Sequence, residues 1–466
     1  MVSEEYCLII KNMKKIVWMI VATLGIITSS CSNTDYINAI PQESTAIVSI
    51  DIPAVAKNLK LDNNNSANVL KSILHVDDAS DCGIDMSKKI YLFESPEGNL
   101  GMCAKVDDSG DLKDWLEKLS KQNICKNISE RYGYKFTILK DSWVVGFSDK
   151  SLIIMGPAVA TAQAELQHQI SKYLSQDEDE GIKGTPMYDK LDSIQGGVAM
   201  VAQAQALPEK FVAPFTLGAP KEADASQVLI AADMKVDKGV LLINGETFSF
   251  NKSINESLKN SLKTYRPISG KYTNSMPNNA LWGMFVNVDG KNYIKLLQAN
   301  KGIQAILAGV NTAIDMDNII RSINGDMTII VPSYSSDKPN IMMGAKLASH
   351  DFLNDVGYWK QSAPKGSRIL DWGKNSYYYT DGTTNFYFGV SDDNQFYSGS
   401  ASDMAVNSIQ KAKNPISPNV QSLIKGKRMC MVINISSLSK NTDIIKTFMT
   451  LLHPVFGNVN TIVYFL

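Results

Sequence analysis

The side chains able to do chemistry are few in this chain and poorly placed to cooperate. Four histidines, His75, His168, His350 and His453, are scattered over 466 residues, none with a partner at motif spacing. His168 falls in a Gln-rich helical stretch and His453 precedes Pro454. Both settings suit structural or surface histidines better than ligands or bases. No Gly-x-Ser-x-Gly, His-Glu-x-x-His, Walker phosphate loop, Cys-x-x-Cys or post-strand Gly-x-Gly-x-x-Gly occurs. The acidic run Asp177-Glu178-Asp179-Glu180 lacks the alternating ligands of a calcium loop and reads as a solvated helix end. Asp62-Asn63-Asn64-Asn65 reads as a polar loop. No catalytic residue, metal site or cofactor is assigned.

What remains is aromatic. Trp372, Tyr377, Tyr378, Tyr379, Phe386, Tyr387, Phe388, Phe396 and Tyr397 fall on neighbouring predicted strands. Side chains alternate along a strand, so one set must turn away from the core that the other joins. Trp372, Tyr377, Tyr378, Tyr379, Tyr387 and Tyr397 therefore form the candidate binding surface. It would stack on sugar rings or contact a partner protein. The competing reading is cross-strand packing beneath a helix.

The N-terminus carries the sharpest signal. Lys14 and Lys15 precede an apolar run from Ile16 to Ile27. That order is a secretory signal peptide, and the run is too short for a stable bilayer span. Glu4 and Glu5 fit such a leader badly, which makes Met13 the better start. Thr28-Ser29-Ser30-Cys31 resembles the lipobox of bacterial lipoproteins. The resemblance implies removal of residues 1–30 and acylation of Cys31, with palmitate among the chains that anchor residues 31–36 as a lipidated tether. Two or three chains hold firmly, at about 0.8 kcal/mol per buried methylene.

The elements that follow repeat. Ile40-Pro41 with Ala46–Asp51 is echoed by Met276-Pro277 with Ala280–Phe285, and Gly101–Val106 by Met342–Leu347. Each of the latter precedes an amphipathic helix, opening at Asp111 or Asp351. One buries Leu112, Leu116 and Leu119, the other Phe352, Val356 and Trp359, the stripe of a helix lying on a sheet. Hairpin patterns over 134–155 return over 376–398, and Val198–Ala202 returns as Met429–Ile433. The offset drifts only between 231 and 243 residues. The pattern predicts an α+β fold of two tandem related modules, 37–270 and 271–466, each an antiparallel sheet with packed helices. The chain stops soon after Thr461, the counterpart of Val228, so the second module is expected to be shortened at its C-terminus. It would lack a strand and a helix, and its last strand would keep an open edge or an uncovered apolar face. Cys103 and Cys430 meet apolar partners in the echo, which marks them as buried small hydrophobes. Cys82 and Cys125 are left either as thiols or as a bridge in an oxidising envelope.

The lipobox, the short tether, and Tyr36-Ile-Asn-Ala-Ile40-Pro41 with Ala46–Asp51 resemble an envelope lipoprotein family of unknown function from Bacteroidetes. The resemblance spans nearly the whole chain and supplies no catalytic residue. The 46 basic and 47 acidic side chains nearly cancel without a Lys/Arg block, which excludes the usual electrostatic case for nucleic acid. The reading is a protein held to the membrane through its lipid anchor, outer-membrane associated, facing either the periplasm or the exterior. Its role is non-catalytic binding or scaffolding, with a glycan or an envelope protein as partner. The alternatives are a carboxylate-based glycan-processing enzyme and an accessory subunit of an outer-membrane assembly.

Overall fold

Short runs of β-branched, aromatic and aliphatic residues, broken by polar turns, build almost everything here. The computed structural model describes residues 34–58, 79–207, 212–213, 215–300, 303–304, 313–335, 338–438 and 456–466. The leader, Cys31, the Asp62–Asn65 segment, His75 and His453 lie outside the described residues.

The first half contains β1 (Ala46–Ile50), β2 (Ile90–Glu94), β3 (Leu100–Lys105), β4 (Ser129–Arg131) and β5 (Tyr134–Leu139). It continues with β6 (Trp143–Phe147), β7 (Ser151–Gly156), β8 (Val198–Gln203), β9 (Leu229–Asp237) and β10 (Val240–Phe248). The second half has β11 (Trp282–Asp289), β12 (Ile323–Val331), β13 (Tyr334–Ser335), β14 (Lys338–Pro339), β15 (Met342–Leu347) and β16 (Arg368–Gly373). Then come β17 (Ser376–Thr380), β18 (Asn385–Val390), β19 (Gln395–Gly399), β20 (Met429–Asn434) and β21 (Thr461–Phe465).

Apart from the β13–β14 ribbon, these strands form one 19-stranded sheet. Its hydrogen-bonded order is β4-β5-β6-β7-β3-β2-β1-β8-β9-β10-β21-β20-β11-β12-β15-β19-β18-β17-β16. Every neighbouring pair is antiparallel except β10 with β21. The two ends of the sheet follow the same strand order. Walking inward from β4 meets strands in the same sequence as walking inward from β16, until β10 is reached. The isolated bridges Pro41–Gly181 and Pro277–Pro415 sit at matching places before β1 and β11.

Period two sends neighbouring residues to opposite faces, and helices cover both. On β3, Ala104 packs with Leu112, Leu116 and Leu119 of the helix Ser109–Lys121, while Cys103 joins Leu166 and Ile170 of the helix Gln163–Ser175. In the second half Ala345, Phe388 and Phe396 pack with Phe352, Val356 and Trp359. Val432, Phe285 and Phe465 pack on the other face with Val420 and Ile424 of the helix Pro418–Ile424. Both expected stripes are buried, but the helix starts differ. Asp108, not Asp111, caps the first helix, its carboxylate accepting from the N–H groups of Gly110 and Asp111 at 2.7 and 3.0 Å. The segment from Asp351 begins as a 3-10 turn and becomes α-helical only at Val356, without a side-chain cap.

The expected open edge at the C-terminus is absent. β21 bonds antiparallel to β20 and parallel to β10, from Val240–Thr461 through Asn244–Phe465. The donors and acceptors of an edge strand need partners, and β10, which has no counterpart among the described strands of the second half, supplies them. Val463, Tyr464 and Phe465 are buried. A close approach seals the joint. The Tyr464 ring lies over Gly245 of β10, where a Cβ would fall 2.2–2.5 Å from the ring and its hydroxyl oxygen. The connection between halves is fixed by Asp326, 5% exposed on β12. Its carboxylate accepts from the N–H groups of Ser269, Gly270 and Lys271 at 2.8–2.9 Å and from the Ser269 hydroxyl at 2.7 Å.

Gly245→Val is expected to destabilise by about 1–3 kcal/mol through overpacking against Tyr464. In Tyr464→Ala the same substitution should cost little further. Urea melts of the four-member cycle check this, and strictly additive effects would contradict the contact.

Candidate binding surface

β15, β19, β18, β17 and β16 form the outer end of the second half, with β16 at the margin. The register pairs Tyr377 with Phe388, Tyr378 with Tyr387, and Tyr379 with Phe386. Directly paired residues share a face, so the aromatic run divides in two.

Tyr377, Tyr379, Phe386, Phe388 and Phe396 turn toward the helix side and join the core there. Trp359 meets Phe388 at a centroid distance of 6.2 Å. The Lys360 ammonium lies 5.3 Å from the Tyr377 ring centroid and bonds Asp371 at 2.7 Å. Tyr377 and Tyr379 therefore leave the outward set that the sequence grouped with them.

Trp372, Tyr378, Tyr387 and Tyr397 occupy the opposite face and are half-buried. Tyr378 stacks on Tyr387 at 5.0 Å and 16°. Trp372 stands edge-on to Tyr387 at 5.6 Å and to Tyr397 at 6.5 Å. The register shift between Asp371 and Gly373 leaves Trp372 in a bulge, and its indole N–H donates to the Tyr377 carbonyl at 2.9 Å. Tyr397 covers Gly389, where a Cβ would come within 2.5 Å of its hydroxyl oxygen, and that hydroxyl pairs with Ser376 Oγ at 2.6 Å. Four rings from four strands thus make a rigid, partly solvated aromatic ladder with polar tips.

Charges at its rim are tied into turns. The hydrogen bond to Asp392 raises the pKa of Lys374. Asp381 is held below the usual carboxylate range by the N–H groups of Thr384 and Thr383, and Asp393 by Gln395 and Ser391.

The described cysteines and histidines elsewhere make packing or hydrogen-bond contacts. Cys82, Cys103, Cys125 and Cys430 are buried thiols outside any disulfide. Cys103 donates to the Tyr36 carbonyl at 3.3 Å and Cys125 to the Leu116 carbonyl at 3.2 Å. Burial pushes the Cys430 thiol up to about 12 and Cys103 higher still, far from thiolate reactivity. Cys82 and Cys125 share the cluster beneath the helix Ser109–Lys121 without bridging. His168 packs its ring on Tyr132 at 5.2 Å, and His350 Nδ1 meets the Asn394 carboxamide oxygen at 2.6 Å. Among the described residues no group of three or more His, Cys, Asp or Glu could hold a metal ion. Two cavities, of about 320 and 240 Å³, carry one carboxylate in their linings, Asp233. Asn244 bonds it at 2.8 Å. Neither cavity offers the facing carboxylates that glycoside hydrolysis needs. These cavities had no signal in the sequence, because residues from distant segments line them, loops and a short helix in the larger one and mostly β9, β10 and β21 in the smaller.

The two faces should respond differently to truncation. Phe388→Ala is expected to cost about 3–5 kcal/mol, and Tyr387→Ala about half as much because its ring is partly solvated. Chemical denaturation checks the ratio, and equal losses would mean that the outward ladder is core.

Comparison with known proteins adds a family and little else. The family model described as a domain of unknown function, DUF4836, matches residues 53–452. No curated protein matches. Among solved structures, crystal form IV of TP0453 aligns at 7% identity over 44% of this chain and 76% of that one, with a TM-score of 0.27. Crystal form III aligns at 7% identity over 80% of this chain and 96% of that one, with a TM-score of 0.25.

Proposed function

Because the chain belongs to the DUF4836 family, whose domain is of unknown function, membership brings no activity, and we propose instead a lipid-anchored envelope protein that binds glycan without catalysis. The outward aromatic ladder of Trp372, Tyr378, Tyr387 and Tyr397 carries this reading. Its rings are held by each other, by a bulge and by hydrogen bonds, so little side-chain freedom is lost on binding. Aromatic faces suit the apolar C–H face of a pyranose, and the phenol tips suit its hydroxyls. Polymer contact on a sheet face needs no enclosed active site.

The anchor rests on the lipobox resemblance at Cys31 and on the likeness to Bacteroidetes envelope lipoproteins. Tyr36 through Ile40 are already buried. At about 3.6 Å per extended residue, the four steps from Cys31 to Asp35 reach roughly 14 Å. A lipidated chain would therefore ride close to the bilayer. No described helix is long and apolar enough to cross a membrane. The matching strand order from the two outer edges supports an origin by duplication, with modules near 37–270 and 271–466 fused through β10 and β21.

Two experiments test the parts separately. Intact mass after detergent extraction should show a diacylated or triacylated N-terminus at Cys31, and Cys31→Ser should move the protein out of the membrane fraction. An unmodified N-terminus elsewhere would overturn the anchor. Affinity electrophoresis in polysaccharide-containing gels should retard the wild-type chain. Tyr378→Ala/Tyr387→Ala should weaken binding about tenfold, or about 1.4 kcal/mol. Equal mobility with and without every polysaccharide would overturn the glycan reading.

A further inference from the structure

The larger cavity arises where the two halves differ. After β7 the chain forms a 13-residue helix, Gln163–Ser175. In its last turn Tyr173 reaches Glu97, just beyond β2, at 3.0 Å. After β19, the strand in the position of β7, the helix is only Ser402–Asn407, six residues long. Both helices lie on the same face of their half. Gly344 and Gly399 admit the shorter one, since a Cβ on either would strike its backbone or the residue that follows it. Beyond Asn407 the chain turns into a loop, and a cavity of about 320 Å³ opens beside Pro332, which follows β12 as Ser95 follows β2.

The lining has a definite chemistry. Met342, Met404, Pro277 and Pro332 form its apolar part. Ser275, Asn279, Asn407, Asn414 and Lys413 form its polar part. The three carboxamides make no side-chain hydrogen bond to the described residues, and Lys413 forms no ion pair with them. The lining contains no carboxylate, which disfavours a cation or an ammonium-bearing ligand. The volume is at the lower end of the roughly 300–1,000 Å³ seen for small-molecule sites, which suits one ring rather than a nucleotide.

We propose that this cavity, opened by the shortened helix between β19 and the loop at Ala412–Asn414, binds one sugar ring bearing a carboxylate. The carboxamides both donate and accept, as ring hydroxyls require. The Met and Pro surfaces receive the C–H face, and Lys413 meets the carboxylate. The inference deepens the glycan reading by naming a sugar class, yet uses none of the ladder residues.

The test is saturation-transfer difference NMR on the full chain, with glucuronate and glucose at about 10 mM each, a range suited to millimolar affinity. Glucuronate ring protons should receive saturation, and glucose protons several-fold less. Met404→Trp, which fills the cavity, should remove the excess of the glucuronate signal over that of glucose. Asn407→Ala, at an exposed position whose truncation leaves the core intact, should weaken affinity about three- to tenfold. Lys413→Ala should erase the preference for glucuronate. Tyr378→Ala/Tyr387→Ala, outside the cavity lining, should lower only the transfer common to both sugars and keep the glucuronate excess, so failure of the ladder reading and failure of the cavity proposal are separable. No transfer to either sugar, or transfer undiminished in both Met404→Trp and Asn407→Ala, would overturn the proposal.

Discussion

The parallel pairing of β10 with β21 is the contact on which the rest of the architecture depends. A strand edge presents a row of donors and acceptors that must be paired, covered or blunted. Here the last strand of each half pairs with the other, and two sheets become one. The joint is also a core. Val240 and Leu242 pack with Val463 and Phe465 on one face, and Leu241 packs with Ile435, Phe456 and Val459 on the other. The two halves consequently share their hydrophobic interior, and the fit of Tyr464 over Gly245 sets the alignment of one strand against the other. Asp326 reinforces the same constraint, holding the connecting segment against β12 through backbone N–H groups.

With that sheet in place, period two decides what the molecule shows to its surroundings. Phe388 and Tyr387 are adjacent in sequence, yet one is fully buried against Trp359 and the other is partly solvated beside Trp372. A slip of one residue would exchange them. Glycine at 389 then makes room for Tyr397, and the Ser376 hydroxyl holds its tip. Rigidity of the outward ladder is thus inherited from inward packing, and a pre-shaped face of this kind loses little side-chain freedom on contact.

Several polar groups elsewhere among the described residues serve structure. Asp108, Asp224, Asp289 and Asp315 cap helical turns. Asp326 accepts three backbone N–H groups, and the four described thiols are buried with no bridge. Carboxylates so engaged hold segments in place instead of facing one another across a cleft.

By itself the sequence determined what local periodicity can encode. The stripe of Leu112, Leu116 and Leu119, the hairpins around Ser142–Phe147 and Asn385–Val390, and the burial of Cys103 and Cys430 were all legible, because each follows from side-chain spacing along one element. It also showed that the aromatic run must divide between two faces, though not which residues go where, since that needs the inter-strand register. Tertiary structure alone decided the pairing of Val240–Asn244 with Thr461–Phe465, and with it the loss of the expected open edge. Main-chain hydrogen bonds carry no side-chain signature, so strands more than two hundred residues apart give no sign in sequence that they will meet. The cavity beside Asn407 was hidden for a related reason. It exists because one helix ends early against a sheet and loops from distant parts of the chain close around the space, and only packing brings Pro277, Pro332, Met342 and Lys413 to one place.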